Sequence, residues 1–496
     1  MVKKKIAIIG GGACGVAAFV DLVVRICEES IQDKTELVWF EKKKELGYGL
    51  AFGTDQKGHI LNTETDLMGI FFHEPGHFSE WIKERYPKLY EQDEKVFTPR
   101  KVYGEYLSDM ASLFIKKAKK EKLSVSRIEE EVCDLDYTDG IYELSYGEGK
   151  KLCADYVILA LGTPSPNTYE ELMPYNKYYH SPWLGDPIVE KSKDAGSIGI
   201  MGTSLSGIDS VMTLMDNGFD GKIYMFSPDG LLPKVQPYET KPFNRKCLTL
   251  PNVHEYRRNA LKKPSLKQLY WLFIKDVKLD CPDMDWEIER RFGYDALTLL
   301  EKDLEWAEKG GDPLLRMAYA LRHDASTLWS WLSEEDKLHF HQWLGIHWGI
   351  NRHAMPIQNA EKLQKLLKSG KLKVVSCVSK AKAVRDGEAF ELKSDAGQKF
   401  EVDLLINATG SPSGLEQMDL KLVNGMLQKK MLLPYKAGGA VISSKTMQSV
   451  APHAGSDLYV TGHLANGMLM DVNAVWFNVQ MISKMTEEIV CRMLGS

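Results

Sequence analysis

Twice along the chain a short β-branched run turns through glycines into an apolar, helix-favouring stretch. The first instance is Ile6-Ala7-Ile8-Ile9, then Gly10 to Gly15, then Val16 to Val24, with a second run, Leu37-Val38-Trp39-Phe40, ending at Glu41. The second is Ser197 to Met201, then Gly202 to Gly207, a helix to Met215 and a strand Lys222 to Phe226. Each reads as strand, turn, helix, strand, the βαβ unit of a parallel sheet. Tyr156 to Leu161 ends in Gly162 and Asp403 to Asn407 runs into Ala408-Thr409-Gly410, so both read as buried strands that stop at a glycine. Between them, 124–146 alternates polar and apolar residues around Asp139-Gly140, the signature of a small β-meander. A helix is predicted from within Phe97 to Leu107 to about Lys120. From about Tyr256 to Leu344 the period is helical, with Trp271, Trp286, Trp306, Trp329, Trp331 and Trp343, and charge runs such as Glu287 to Arg291 that read as solvated faces. Helix Asn359 to Lys368, strand Leu372 to Cys377, a hairpin through Gln398, and a last strand Asp457 to Thr461 with a helix to Cys491 complete the pattern.

The turns carry the chemistry. In Gly10-x-Gly12-x-x-Gly15 the first glycine makes the turn, the second lets a pyrophosphate approach the backbone, and the third packs the helix on the strand. Ala13, Cys14 and Gly15 then offer free N–H groups to phosphate. Glu41, 26 residues past Gly15, is placed to accept hydrogen bonds from an adenosine ribose. The repeat, about 190 residues later, keeps Gly202 and Gly207 but has Ser204 at the central position, where phosphate approach is more crowded. Two such units in one chain are the signature of FAD and NAD(P)H domains together.

Composition narrows the class. The chain has 496 residues, 44% hydrophobic and 26% charged, which suits a soluble globular protein of two or three domains. A net charge of −5 argues against an electrostatic nucleic-acid binder, and no apolar run is long enough to span a bilayer. The lysines at 3–5 before an apolar run resemble an export signal, but three glycines interrupt that run, so a cytoplasmic location is expected. Eight scattered cysteines, Cys14, Cys27, Cys133, Cys153, Cys247, Cys281, Cys377 and Cys491, include no C-x-x-C pair, which disfavours a dithiol active site or a metal cluster.

The strings His59-Ile60-Leu61-Asn62 and Arg100-Lys101-Val102-Tyr103-Gly104-Glu105-Tyr106-Leu107, with the N-terminal glycine motif, resemble the bacterial FAD/NAD(P)-binding protein family of two-domain flavoproteins, related to class B and N-hydroxylating flavin monooxygenases. The resemblance implies that Asn62 and Arg100 lie near the flavin; on their own, either could equally be a turn or helix cap. It also implies that Gly162 and Gly410 mark where the chain leaves and re-enters the FAD domain, and that Gly462 and Gly467 precede a C-terminal helix facing the isoalloxazine. Tyr179 to Trp183 resembles the tail of the monooxygenase linker motif, with Pro174 and Asn176 replacing its Phe and Gly. After the second unit's last strand the family's Ser-Arg-x-Gly becomes Ser227-Pro228-Asp229-Gly230, which lacks the arginine that suits a 2′-phosphate. Arg352 and His353 stand in a family Arg-His-Arg-like cluster whose second arginine is Ala354 here, and are expected to line a site for an anionic group.

The expected fold is α/β: two Rossmann-like dinucleotide-binding domains with a helical insert. The expected boundaries are 1–190 and 406–496 for the FAD domain, 191–255 and 346–405 for the NAD(P) domain, and 256–345 for the insert. The expected activity is an FAD-dependent, NAD(P)H-linked oxidoreductase, a monooxygenase hydroxylating a small polar or amine-bearing metabolite. The alternatives are a flavin oxidase or dehydrogenase, or a flavin- or nucleotide-binding sensor or interaction protein with little turnover. No metal, nucleic-acid or membrane partner is expected.

Overall fold

The computed structural model describes residues 3–91, 97–376, 380–394 and 396–495. Cys377, at the end of an expected strand, lies outside the described residues. None of the other seven cysteines forms a disulfide. Two compact units emerge: Met1–Thr54, Thr63–Pro164 and Pro412–Ser496 form the first, Asp55–Asn62 and Ser165–Ser411 the second.

The first unit is built on a parallel sheet ordered Leu458–Val460, Tyr156–Leu159, Lys4–Ile9, Thr35–Phe40, Ser124–Ile128. Its central strands are buried on both faces, which is why they read as continuous apolar runs. Helix Ala13–Glu28 packs between Arg100–Lys120 and Val475–Leu494. The meander forms from Val132–Thr138, Ile141–Tyr146 and Lys150–Ala154, and Asp139 and Gly140, both at positive φ, make the tight turn. Ser124–Ile128 departs from expectation. It leaves the meander and closes the edge of the parallel sheet, where every residue stays at least partly exposed and polar side chains are tolerated. The C-terminal helix starts at Val475, later than expected, after a short 3-10 turn at Gly462–Ala465.

The second unit repeats the plan with Leu372–Ser376, Lys222–Ser227, Ser197–Met201, Leu404–Asn407 and Tyr178–Tyr179, all parallel. Because Tyr178–Tyr179 pairs with Leu404–Asn407, the first unit ends at Pro164, ahead of the expected boundary at 190. Residues 55–62 join this unit for a physical reason: the buried His59 ring nitrogen sits 2.8 Å from Thr213 Oγ1 and 3.0 Å from the Asp209 carbonyl on helix Leu205–Asp216.

Helices from Leu250–Ala260 to Gly345–Arg352 form the insert. Its neck is the parallel pair Val235–Gln236 and Met355–Pro356, tied by Lys234 N–H to the Ile350 carbonyl and Met355 N–H to the Lys234 carbonyl. Trp329 and Trp331 are buried in it, whereas Trp271 and Trp343 are exposed. The charge run 287–291 is solvated only in part: Glu287 and Arg290 are exposed, whereas Glu289 and Arg291 turn inward. Glu289 and Arg291 are buried: Arg291 makes a two-pronged pair with Asp303 at 2.9 and 2.7 Å, and Glu289 pairs with the fully buried Lys234, which also binds Asp312 at 2.7 Å. The helix Trp286–Glu289 is one turn long and Arg291 is left-handed, so the chain turns these charges inward.

Candidate functional site

The first unit's glycine turn has three distinct environments. Gly10 sits at φ +111°, and a Cβ there would lie 2.1 Å from the Ala160 carbonyl oxygen. A Cβ at Gly15 would lie 2.0 Å from the Gly10 carbonyl oxygen. At Gly12 the space is open, with Gly49 Cα the nearest neighbour at 3.8 Å, and its φ of −76° suits any residue. Gly12 therefore serves neither the turn nor the packing. The cradle it leaves faces the start of helix Ala13–Glu28, which no side chain caps. A pyrophosphate fits such a place, because unpaired N–H groups and the helix dipole both favour an anion.

Glu41 closes the site from the strand side. Its carboxylate accepts from Gly11 N–H at 2.7 Å through one oxygen and from Lys43 N–H at 2.9 Å through the other. Gly11 has no room for a side chain, since a Cβ would press on Leu46 and on Glu41 itself. Gly47 N–H donates to the Gly11 carbonyl at 2.8 Å, so the glycine-rich loop after Glu41 folds back over the turn. Cys14 faces the end of strand Leu458–Val460: Gly462, if it carried a Cβ, would meet Cys14 Sγ at 3.4 Å. Burial pushes the Cys14 thiol up to about 11, against a hydrogen bond with Thr461 that lowers it, so the thiol is neutral at physiological pH.

Gly162 ends strand Tyr156–Leu159 at φ +75° with nothing within 4 Å of its Cβ position. Gly467, at φ +76°, is held against the Ala437 and Gly438 carbonyls. His463 is buried, its Nε2 2.9 Å from the Pro412 carbonyl and its Nδ1 without a protein partner. Arg100 opens helix Arg100–Lys120, in the first unit, while Asn62 belongs to the second. Tyr103 is a further candidate that the sequence alone does not single out. Its hydroxyl is fully buried without a hydrogen-bond partner and lies in the electrostatic field of Cys14. An orphaned buried hydroxyl beside the glycine turn is a candidate ligand contact, and the only signal for it was its place in the string beginning at Arg100.

The second unit repeats the geometry with altered chemistry. Gly202 is at φ +121°, and a Cβ there would lie 2.3 Å from the Ala408 carbonyl oxygen; one at Gly207 would lie 2.3 Å from the Gly202 carbonyl oxygen. Ser204 takes the place of Gly12, at φ −85° with its side chain exposed and making no cap to its helix. Gly10 N–H binds the Phe40 carbonyl and Gly202 N–H binds the Phe226 carbonyl, so the two turns are in the same register. Ser227 is thus the counterpart of Glu41, and Thr203 of Gly11. Thr203 Oγ1 lies 2.9 Å from Ser227 Oγ, which accepts from Gly230 N–H at 3.0 Å. Asp229 stands two residues beyond the Glu41 position. Gly410 is at φ +86° in open space, one residue after Thr409, whose N–H binds the buried Asn407 side chain at 3.1 Å.

Lys234 and Arg245 are both committed and supply no spare charge near Asp229: Lys234 to Glu289 and Asp312, Arg245 to Asp324 at 2.7 Å. Arg352 is buried with its guanidinium 5.7 Å from the Tyr319 ring centre. Burial, then the neighbouring Arg352 charge, push the His353 imidazole down to about 4, so it is neutral at pH 7. Among the described residues, no group of three or more His, Cys, Asp or Glu is arranged to hold a metal.

Comparison with known proteins agrees with this architecture. Residues 7–164 match a family described as FAD-NAD(P)-binding. The uncharacterized protein YdhS of Escherichia coli K12 is 23% identical over 478 residues, covering 86% of this chain and 87% of that protein. Among solved structures, L-lysine 6-monooxygenase from Pseudomonas syringae superposes with a TM-score of 0.60 at 13% identity, covering 98% of this chain and 100% of that one. The ornithine N-hydroxylase of Kutzneria sp. 744 gives a TM-score of 0.59 at 15% identity, covering 99% and 100%. Residues 7–164 are thus an FAD-NAD(P)-binding domain, and the chain as a whole has the two-dinucleotide-domain flavoprotein fold that it shares with the N-hydroxylating flavin monooxygenases.

Proposed function

We propose that the protein is an FAD-dependent, NAD(P)H-linked oxidoreductase, a monooxygenase that hydroxylates a small polar or amine-bearing metabolite. One observation carries the nucleotide part: the same strand, turn and helix occurs twice, each time with two glycines locked by carbonyl contacts and a middle position left open. The monooxygenase part rests on shared fold with proteins named as hydroxylases of lysine and ornithine, so it is an argument from likeness.

In this reading Gly12 and the N–H groups of Ala13, Cys14 and Gly15 hold the FAD pyrophosphate, and Glu41, fixed by Gly11, orients the ribose. When bound, the flavin supplies the redox chemistry. Neutral Cys14 and the orphaned Tyr103 hydroxyl line the approach without adding charge. Ser204 and the helix from Leu205 hold the nicotinamide dinucleotide in the second unit. His353, held neutral at pH 7, can donate or accept a hydrogen bond beside the fixed charge of Arg352, which suits an anionic group. Proposed domain limits follow these roles, with the FAD site on the first unit and the nicotinamide dinucleotide site on the second.

The test is to purify the protein, identify its chromophore, and follow anaerobic bleaching by NADH and NADPH, then oxygen consumption with candidate diamines and amino acids. Yellow protein, reduced by a nicotinamide dinucleotide and hydroxylating an amine, supports the proposal. A chromophore that neither nucleotide reduces favours the sensor reading, which the substituted Ser204 and Pro228 motivate. Reduction with stoichiometric peroxide and no hydroxylated product favours an oxidase.

A further inference from the structure

The helical insert carries a surface that the nucleotide sites do not use. Leu261 caps helix Leu250–Ala260 in a left-handed conformation, φ +50°, and its side chain is 88% exposed. That position ordinarily falls to glycine or asparagine, which enter the left-handed region at little cost. A leucine there is unfavourable twice over, in backbone strain and in apolar surface left in water, so the outlier calls for a role outside the fold. Lys262 and Lys263, both exposed, follow it directly.

The next helix, Leu266–Asp280, extends the same chemistry. Its outer face carries Lys267, Trp271 and Lys275 at four-residue intervals, then Lys278 and Leu279, all exposed, while Leu266, Leu269, Ile274 and Val277 point inward. Trp271 is 55% exposed. Residues 254–280 hold seven lysines and arginines against three carboxylates, in a chain whose net charge is −5. Two of those carboxylates do not offset the surface: Asp276 is buried, accepting N–H bonds from Lys246, Cys247 and Leu248, and Asp280 is paired with Arg316.

We infer that this helical hairpin docks on an anionic lipid bilayer, with Leu261 inserted at the headgroup boundary, its lysines on the phosphates and Trp271 in the interface. Interfacial segments combine these parts: a basic face with apolar and tryptophan side chains, neither long nor apolar enough to span. No helix among the described residues is long and apolar enough to cross a membrane, so the contact is peripheral. Charge complementarity selects the occupant, since a neutral apolar partner would leave the lysines unused. The inference does not depend on the proposed enzymatic activity.

The experiment is cosedimentation of the full-length protein with vesicles of phosphatidylcholine alone or with about one-third phosphatidylserine, at low and at physiological salt. Binding is expected only with phosphatidylserine and weakens with salt. Lys262→Gln with Lys263→Gln lowers the partition coefficient more than tenfold, at roughly fivefold per cation. Leu261→Asn, which suits the left-handed backbone, lowers it roughly tenfold while leaving the thermal midpoint unchanged or raised. Absence of wild-type binding, equal binding to neutral vesicles, or variants that bind as well as wild type would each overturn the inference. So would a self-associated dimer that Leu261→Asn dissolves, or an RNA complex lost in the lysine pair without vesicle binding.

Discussion

Three glycines of one turn make separable predictions. At Gly12 a methyl group meets nothing closer than Gly49 Cα at 3.8 Å, and the backbone is already in a region open to L-residues. Gly12→Ala therefore leaves the ligand-free fold intact, or stabilises it by about 0.4–1 kcal/mol through the reduced entropy of the unfolded chain. In the proposed site the same methyl stands where the pyrophosphate would meet the helix N–H groups. Losing one charge-assisted hydrogen bond of about 1.5–3 kcal/mol weakens FAD binding about 10- to 100-fold, and Gly12→Val abolishes it. Gly10→Ala and Gly15→Ala behave oppositely. Their Cβ atoms would fall 2.1 and 2.0 Å from carbonyl oxygens, so the sheet and helix must separate, at a cost of about 1–3 kcal/mol or more. The assay pairs urea denaturation of FAD-stripped protein with FAD titration by flavin fluorescence quenching. Unchanged FAD affinity in Gly12→Val, or a Gly12→Ala apoprotein as destabilised as Gly15→Ala, would refute this division of roles.

Other predictions concern charge. Lys234→Met leaves Glu289 and Asp312 buried without their cation, and is expected to cost about 3–5 kcal/mol, read as a loss of urea midpoint; a shift under 1 kcal/mol would show the triad to be solvated. Burial, opposed by Lys234, raises the Glu289 carboxyl to about 7, above its ordinary value near 4.5. The folded state therefore holds this proton more tightly than the unfolded state. The resulting stability is fully present below about 4.5 and lost as pH rises through about 7. Glu289→Gln should flatten that part of the pH profile relative to wild type, and an unchanged slope counts against it. Cys14, neutral because burial raises its thiol to about 11, should alkylate with iodoacetamide at pH 8 far more slowly than the exposed Cys153, as peptide mass mapping will show.

The legible parts of this protein are those where local sequence and backbone demand coincide. The buried strands and the glycines at positive φ could be read because few other residues tolerate those places. Ser124–Ile128 reads as part of the meander because a partly exposed edge strand of a parallel sheet mixes polar and apolar residues as a meander strand does. Within 287–291 the inward turn of Glu289 and Arg291 leaves no sequence signal, because their partners, Lys234 and Asp303, are distant or unremarkable in sequence. Tyr103 carries no signal beyond its place in the string beginning at Arg100, since the burial of its hydroxyl without a protein partner depends on the folded surroundings. Asp229 is the nearest acid in sequence after the second unit's strand, but the hydrogen bond from Gly202 to Phe226 makes Ser227, two residues earlier, the counterpart of Glu41.

That register makes a last prediction. In the first unit Gly11 and Glu41 are coupled, because a side chain at 11 would strike Glu41, and Gly11 N–H orients its carboxylate. The second unit changed both positions together, to Thr203 and Ser227, whose hydroxyls bind each other. A carboxylate there would accept two ribose hydroxyls and repel a 2′-phosphate, whereas a serine tolerates either. Wild type should therefore bind NADH and NADPH with similar affinity, since Pro228 adds no cation and Ser227 adds no acid. Ser227→Glu alone is crowded by Thr203 and should weaken both. The double variant Thr203→Gly with Ser227→Glu rebuilds the first unit's arrangement, and should raise the NADH to NADPH affinity ratio at least tenfold, about 1.4 kcal/mol. Titration of each nucleotide against intrinsic tryptophan fluorescence measures that ratio. A ratio unmoved in the double variant, with both nucleotides still bound, would place the adenosine ribose away from Ser227 and break the equivalence of the two units.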